Sequence, residues 1–303
     1  MNIEGIFGDY SLDTGEKKAT MILDREILAV PTIEHLAKTL WPSKNWNETL
    51  MVMLTTCFDA AGKEHGEPCL AVAGFVSSAG DWTEFSGLWN DRLQKDGLTW
   101  FHKVDFAHST GEFKYGWREN EPRRRSLLND LMELITEYSY RKFGCAVINQ
   151  SFGSLISEEN KSQYYLNAYS LAGRTCAAHV RQWIQTEKIR GASVELVFAE
   201  GDEGKGKLIT RLNEDGYVTP GFRYPRDTMT SLGPSSGFVP LQASDWLAYE
   251  VFKAAKNKPD SDWRWAAGEF NKKPGEPTIY RDQDLNALDE SLDLAALEPE
   301  WWK

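Results

Sequence analysis

The stretch MVMLTTCFD at residues 51–59 decides the fold prediction, because it is a mostly apolar run with β-branched side chains that ends on an acid. Turn residues follow at 60–62, and this pattern predicts a buried β-strand that delivers Asp59 at its carboxyl end. A second apolar run, CLAVAGFVS at residues 69–77, comes after a short polar turn. The short connection favours an antiparallel hairpin.

Outward from this hairpin the chain alternates between helical and strand-like patterns. Helical spacing of apolar residues predicts helices over residues 81–94, 123–138, 161–187 and 241–256, with a shorter one near 208–212. Apolar runs predict further strands over 143–149 and 194–200. On helix 81–94, Asp81 is placed to cap the start, and the predicted core stripe comprises Trp82, Phe85, Leu88, Trp89 and Leu93. This element order predicts an α/β fold with a mixed sheet flanked by helices.

The predicted organisation is one domain over residues 49–258, with an N-terminal extension at 1–48 and a C-terminal extension at 259–303. A composition with 41% hydrophobic and 12% aromatic residues is typical of an ordered globular protein. No run approaches the ~18 apolar residues that a membrane span requires, and residues 1–5 lack the features of a signal peptide. We therefore expect a cytoplasmic protein with no membrane partner.

The cysteines lie far apart in apolar stretches, with no Cys-x-x-Cys pair and no histidine at zinc-finger spacing. This pattern indicates neither a disulfide framework nor structural zinc, and favours buried, reduced thiols. The residues concerned are Cys57, Cys69, Cys145 and Cys176.

The formal net charge of −11 argues against non-specific binding of nucleic acid, which depends on Lys and Arg neutralising phosphates. A nucleic-acid substrate would therefore need a local basic patch or a partner protein. Candidate basic residues are Lys114, Arg118, Arg123, Arg124, Arg125, Arg141 and Lys142. A short basic run is equally expected on a solvated helix face.

Three acids fall at the ends of predicted elements. Asp59 and Glu200 each end a strand, and Asp245 lies in the first turn of the last predicted helix. Ligands of α/β folds bind at the carboxyl ends of strands, and several carboxylates together suit Mg²⁺ or Mn²⁺, which leave positions open for phosphates. Two such ions can activate water and stabilise the leaving oxygen of a phosphodiester. Acids at these places are also common as turn and cap residues, so the spacing alone does not distinguish metal ligands from turn or cap residues.

Four segments occur in an order that resembles the family called domain of unknown function 3800. They are CFDAAG at 57–62, WFHKVDF at 100–106 followed by GEF at 111–113, FAEGDEGKG at 198–206, and PLQASDWLAYE at 240–250. The resemblance covers roughly residues 50–256. It implies a ribonuclease H-like fold, metal-dependent cleavage of DNA or RNA, and a place in bacterial antiviral defence.

The same resemblance implies roles for particular acids. Asp59, Glu200 and Asp245 would be catalytic and would bind Mg²⁺ or Mn²⁺, with Asp202 as a fourth metal ligand. The chain departs from the family at Ala60 and Ala61, where Glu and Ser are common. This departure favours a second interpretation, in which the domain is catalytically weak or inactive and binds a protein partner.

Other candidate residues surround these acids. His102 and Asp105 are three residues apart and could face one cleft, where His102 would transfer a proton or position a phosphate. A structural histidine is compatible with the same pattern. Candidate substrate-binding residues are Lys103, Asp105, Lys205 and Gln242. Lys205 lies between glycines without a P-loop pattern, so a solvated turn is the default there.

The function predicted from these residues is a phosphodiesterase that depends on divalent metal, with a nuclease as the leading form. The alternatives are the partner-binding module and a hydrolase of small phosphorylated metabolites. The acidic surface tolerates a small substrate better than a long nucleic acid.

Overall fold

The computed structural model describes residues 53–189, 191–231, 233–257 and 265–297. The predicted extension at 1–48 lies outside these residues. Six strands form the main sheet and two form a small ribbon: β1 (Met53–Gly62), β2 (Cys69–Ser78), β3 (Arg141–Ile148), β4 (Ser193–Ala199), β5 (Gly221–Arg223), β6 (Thr228–Thr230), β7 (Gly233–Ser235) and β8 (Thr278–Tyr280). The described helices are α1 (Ala79–Gln94), α2 (Lys103–His108), α3 (Glu121–Tyr138), α4 (Asn149–Leu155), α5 (Glu158–Gln163), α6 (Ala168–Thr186), α7 (Lys205–Glu214), α8 (Pro240–Asn257), α9 (Trp265–Asn271) and α10 (Asp282–Leu297).

The six-stranded sheet has the order β5-β4-β1-β2-β3-β8, while β6 and β7 pair with each other. β2 is antiparallel to both β1 and β3, and the pairs β1–β4, β4–β5 and β3–β8 are parallel. Within this sheet β2 therefore runs opposite to its five companions. The predicted mixed sheet and the β1–β2 hairpin are both confirmed.

Helices cover both faces of the sheet, so its central strands are largely buried. All ten residues of β2 are buried. Alternate residues of β1 enter two separate cores, since Cys57 packs into one hydrophobic cluster and Phe58 into the other. The first cluster is built with α1, α3 and α8, and the second with α6 and α7. The four cysteines are free and buried, as predicted.

Several predicted details of the helices are wrong. The helix predicted over 161–187 is two helices, because Asn167 caps α6: its side chain accepts from the Ser170 N–H at 2.7 Å, and its own N–H donates to Ser170 Oγ at 2.8 Å. The start of α1 is capped by Ser78, whose hydroxyl accepts from the Asp81 N–H at 3.0 Å. Leu88 is 40% exposed and is not part of the core stripe.

The segment predicted as a C-terminal extension contributes to the sheet. β8 pairs with β3 in parallel register from Cys145↔Thr278 to Val147↔Tyr280. On α10, Leu285 is fully buried in the same cluster as α6. Within the part of the chain that the structure describes, no helix combines the length and apolarity needed to cross a membrane.

Gly74 provides a test of how closely β1 and β2 approach. A Cβ at this position would lie 1.7 Å from the carbonyl oxygen of Cys57, which is backbone and cannot rotate away. We expect Gly74→Ala to lower the free energy of unfolding by about 3 kcal/mol or more, because the central strands must separate. Urea denaturation followed by circular dichroism measures this change.

Gly87 is the matched control, since it is exposed on α1 and a Cβ there meets open space. Gly87→Ala should raise the free energy of unfolding by roughly 0.5–1 kcal/mol through its higher helix propensity. A Gly74→Ala protein as stable as Gly87→Ala would contradict the strand geometry.

Candidate functional site at the carboxyl ends of β1 and β4

Two neighbouring parallel strands bring the first acids to one edge of the sheet. The pairing of β1 with β4 ends at Phe58↔Phe198, so Asp59 and Glu200 follow directly where the strands part. β1 continues beyond Asp59 to Gly62, paired only with β2. It does not end at the acid as predicted. The Glu200 N–H donates to the Arg223 carbonyl at 2.8 Å, which holds this acid against β5.

Asp245 reaches the same edge from α8, which packs across β1 and β2. The Ser244 hydroxyl donates to the Cys57 carbonyl at 2.8 Å and fixes α8 over β1 two residues before Asp59. Asp245 is the sixth residue of α8 and is buried, so it lies in the second helical turn and not in the first. One Asp245 oxygen accepts from the Lys103 N–H at 2.6 Å.

Asp59, Glu200, Asp202 and Asp245, here called the acid cluster, influence one another electrostatically. Burial and the negative charges of Asp245 and Asp202 raise the pKa of Asp59 well above its usual value. Burial and Glu200 raise the pKa of Asp202 to about 6. Burial also raises the pKa of Asp245, although His102 and the Lys103 N–H oppose the shift. The acids predicted from sequence are therefore brought together.

The acid cluster is poor in compensating charge. Among the described residues, neither Asp59 nor Asp202 forms an ion pair with a basic side chain. Glu200 does, because Lys205 Nζ lies 2.9 and 2.6 Å from its two carboxylate oxygens. The predicted substrate-binding Lys205 is thus engaged by an acid of the cluster, and it lies 4.4 Å from the ring centroid of Phe222.

The cluster is not a preformed metal centre. Within the residues described, no group of three or more His, Cys, Asp or Glu side chains is placed to hold a metal ion. The oxygens share one edge of the sheet without converging on a point. Metal binding by Asp59, Glu200, Asp202 and Asp245 stays a prediction.

His102 stands beside the acid cluster with a fixed orientation. Its Nδ1 lies 2.9 Å from Asp105 Oδ2, and the Thr110 hydroxyl donates to Asp105 Oδ1 at 2.7 Å. Burial opposes ionisation of Asp105, but the hydrogen bonds from Thr110 and His102 lower its pKa below the usual range. A carboxylate at Nδ1 assigns the ring proton to that nitrogen. Nε2 then points toward Asp245, with 4.0 Å between Nε2 and Oδ1.

An aromatic and cationic stack covers the other side of His102. The Trp100 ring lies parallel to the imidazole at 5.0 Å, and the exposed Arg226 guanidinium lies 4.2 Å from the Trp100 ring centroid. His102 and Asp105 were predicted to face one cleft. In the structure they form a hydrogen-bonded pair in which Asp105 orients the imidazole ring. Asp105 is committed to this role and is not positioned as an independent substrate contact.

Lys103 was predicted to bind substrate, and this prediction is wrong for its side chain. Lys103 is 3% exposed, with Nζ 3.3 Å from Glu250 Oε1 and 4.7 Å from the Trp246 ring centroid. The ammonium points into the protein because α8 offers it a buried carboxylate and an aromatic face. Lys103 contributes to the site through its backbone, which holds Asp245.

Gln242 is likewise structural, contrary to its predicted contact with substrate. It is 2% exposed, and its carbonyl oxygen accepts from Trp89 Nε1 at 2.9 Å and from the Phe101 N–H at 2.8 Å. Its amide donates to the Pro225 carbonyl at 2.8 Å. One buried amide therefore joins α1, the segment before α2 and the loop after β5 to α8.

Part of the predicted basic patch is engaged by contacts within the protein. Arg123 pairs with Asp96 at 2.7 Å, and Arg125 pairs with Glu121 at 2.9 Å. Lys142 is buried and donates to two backbone carbonyls. Lys142 is therefore unavailable to nucleic acid, whereas the Arg125 side chain is 74% exposed and Lys114 and Arg118 are exposed.

Sequence reasoning missed Tyr169, the second residue of α6. Its side chain is 1% exposed, and its hydroxyl has no hydrogen-bond partner among the described residues. Burial and the charges of Asp202, Asp59 and Glu200 raise its pKa, which places the phenol beside the acid cluster. A tyrosine early in a helix carries no signal in the sequence that would distinguish it from a core residue.

Comparison with known proteins gives no identification. No protein-family model, no curated protein and no solved structure matches the chain. The resemblance to domain of unknown function 3800 stays a prediction, and an assignment of function depends on the geometry of the acid cluster.

The raised pKa of Asp202 predicts how stability depends on pH. An unfolded aspartate titrates near pH ~4, so between pH 4 and about 6 the folded state holds more protons than the unfolded state. Stability therefore falls as pH rises through this window. Asp202→Asn should be more stable than the wild type at pH 8, by up to about 3 kcal/mol, and nearly equal to it at pH 4.

Urea denaturation in EDTA at both pH values measures this difference. Asp91→Asn, at an exposed position on α1, is the control and should change neither value. An Asp202→Asn protein less stable than the wild type at pH 8 would show that the carboxylate makes a net favourable contact.

The Lys103–Glu250 pair predicts a second stability effect. Glu250→Gln leaves the Lys103 ammonium buried beside a neutral amide and should lower the free energy of unfolding by roughly 3 kcal/mol. Adding Lys103→Met in the double variant should recover part of this loss, since both charges are then absent. Chemical denaturation of the single and double variants measures the difference, and equal losses in both would contradict the pairing.

Proposed function

We propose that the protein is a phosphodiesterase that depends on a divalent cation, with a nuclease as its leading form, and that the acid cluster is its active site. The observation that carries this proposal is the arrangement of charges at the carboxyl ends of β1 and β4. Asp59, Asp202 and Asp245 have raised pKa values, and Asp59 and Asp202 lack a basic partner in the described chain. Clustered acids that oppose stability are typical of sites kept for function.

We also propose that the sheet is a ribonuclease H-like fold. This is supported by an antiparallel meander β3-β2-β1, extended by β4 and β5 in parallel with β1. The proposed catalytic acids then lie on a central strand, after its parallel neighbour, and on the helix that packs across β1 and β2. Fold alone implies no activity, so the chemistry is argued from the acids.

The donor set fits Mg²⁺ or Mn²⁺ in type and charge, because these ions prefer carboxylate oxygens and would relieve the repulsion within the acid cluster. The ion would be held by Asp59, Asp202 and Asp245, with Glu200 joining if Lys205 releases it. Since the oxygens do not converge in the described conformation, we propose that side-chain rotation accompanies binding. A bound ion would supply charge to stabilise a phosphodiester and to acidify water.

The chain's own residues supply the remaining parts of the proposed mechanism. The Nδ1–H of His102 donates a hydrogen bond to Asp105. Its Nε2 then faces the acid cluster and would accept a proton from an attacking water. Arg226 is an exposed cation on the Trp100 side of His102, where it can meet a phosphate. These two groups position the substrate and move one proton.

A non-catalytic module that binds a protein partner is the second proposal. It is favoured by the Lys205–Glu200 pair, which neutralises one acid of the cluster. It is also favoured by Ala60 and Ala61, which cannot bind a cation through their side chains.

Nuclease assays distinguish these proposals. We expect the wild type to cleave labelled single- or double-stranded DNA or RNA with Mn²⁺ or Mg²⁺. Asp59→Asn and Asp245→Asn should each lower kcat by on the order of 10²-fold or more, because each removes charge from the site. Asp91→Asn is the matched control, as it alters an exposed acid on α1 and should retain full activity.

Bis(4-nitrophenyl) phosphate, assayed in parallel, tests for a hydrolase of small phosphodiesters. Cleavage of this compound without cleavage of any oligonucleotide would replace the nuclease by that enzyme. A folded wild type that cleaves nothing and gains no thermal stability from Mn²⁺ would leave the partner-binding module.

A further inference from the structure

Tyr169 lies near the strands that carry the proposed active site. It packs in the hydrophobic cluster that contains Phe58 and Phe198, the residues at which β1 and β4 last pair before the acids. Its side chain is almost entirely buried, so the hydroxyl group has been taken out of water. Its position follows from the start of α6, which Asn167 caps.

The start of α6 is held against the loop that carries Asp202. Gly204, with φ +96°, has no Cβ, and a Cβ there would lie 2.2 Å from the Asn167 amide nitrogen. Lys207 Nζ donates to the Leu166 carbonyl at 3.1 Å and ties α7 to the same segment. The first turn of α6 and the loop of Asp202 therefore form one packed unit beside β4.

The Tyr169 hydroxyl differs from the other buried or half-buried tyrosine hydroxyls near it. Tyr164 donates to the Leu292 carbonyl at 3.0 Å, and Tyr280 lies 3.3 Å from the Thr175 hydroxyl. Tyr169 has no such partner among the described residues. Buried polar groups are nearly always hydrogen-bonded, because an unpaired one keeps its full desolvation cost. An unpaired hydroxyl beside three of the acids indicates a partner that arrives with a ligand.

The protonation state of the Tyr169 hydroxyl decides whether its partner is a hydrogen-bond donor or acceptor. A phenol is protonated at neutral pH, so the Tyr169 hydroxyl can donate to an acceptor. Glu200 is occupied by Lys205, and Asp59 already accepts from the Ala60 N–H at 2.7 Å. Asp202 makes no hydrogen bond or ion pair within the described chain. Of these three carboxylates, Asp202 is therefore the one with both oxygens uncommitted in the described chain.

We propose that Tyr169 is a positioning residue whose hydroxyl donates to Asp202 when that carboxylate turns to hold a divalent cation. This inference rests on the proposed function, since it assigns Asp202 to the cation. The hydroxyl would fix the orientation of the carboxylate, as hydrogen-bond partners of metal ligands do elsewhere, where their loss lowers metal affinity by roughly 10–100-fold. Tyr169 itself contacts neither the cation nor the substrate.

The test measures Mn²⁺ affinity by isothermal titration calorimetry on the full chain, together with thermal stability in EDTA. Tyr169→Phe should weaken Mn²⁺ binding by roughly 10–100-fold while leaving the metal-free melting temperature equal to or above the wild-type value. A purely structural hydroxyl would do the opposite. Tyr164→Phe is the matched control, because it loses a formed hydrogen bond and should lower the melting temperature without changing Mn²⁺ affinity.

A double-variant cycle tests whether Tyr169 acts through Asp202. In the Asp202→Asn background, adding Tyr169→Phe should produce no further loss of Mn²⁺ affinity. Additive losses, or an unchanged affinity in Tyr169→Phe alone, would overturn the inference even if the protein cleaves phosphodiesters. A wild type that binds Mn²⁺ but cleaves nothing would reject the proposed nuclease and still leave this affinity test valid. Absence of Mn²⁺ binding by the wild type would reject both.

Discussion

The backbone hydrogen bonds that join β1 to β2 on one side and to β4 on the other constrain most of the structure. They place β1 inside the sheet, so its alternate side chains must fill two cores at once. β4 parts from β1 after Phe58, and a space opens between the two strands there. Asp59 stands at this opening, and the acids that follow β4 and lie on α8 face the same place.

Concentrating acids at one edge has an energetic cost that the surrounding structure offsets. A pKa of about 6 for Asp202 alone corresponds to about 3 kcal/mol against folding at neutral pH. The buried links beside the site oppose this cost, since Ser244 binds the backbone of β1 and the Gln242 amide joins three segments to α8. Gln242, which was predicted to contact substrate, is therefore one of the residues that hold α8 and its acid in place.

Patterns that depend on local order could be predicted from the sequence, and contacts between distant residues could not. The β1–β2 hairpin and the acids after strands follow from apolar runs and their ends. Burial of Lys103 could not be predicted, because its partner Glu250 is 147 positions away. The residues next to Lys103 in the sequence do not distinguish a buried lysine from an exposed one. The break before α6 depends on the Asn167 cap, and β8 is three residues long, too short for a periodic signal.

The two proposed functions differ in whether the acids can gather around a cation, and the Lys205–Glu200 pair is the main obstacle. Its side chains are 37% and 24% exposed, so water screens the attraction. Exposed ion pairs of this kind contribute about 1 kcal/mol or less. Burial is the larger cause of the raised pKa of Asp202, and the negative charge of Glu200 adds to it. Because the Lys205–Glu200 ion pair is weak, its loss would be a small cost for a divalent cation that binds the acid cluster, and this favours the catalytic proposal over the inactive module.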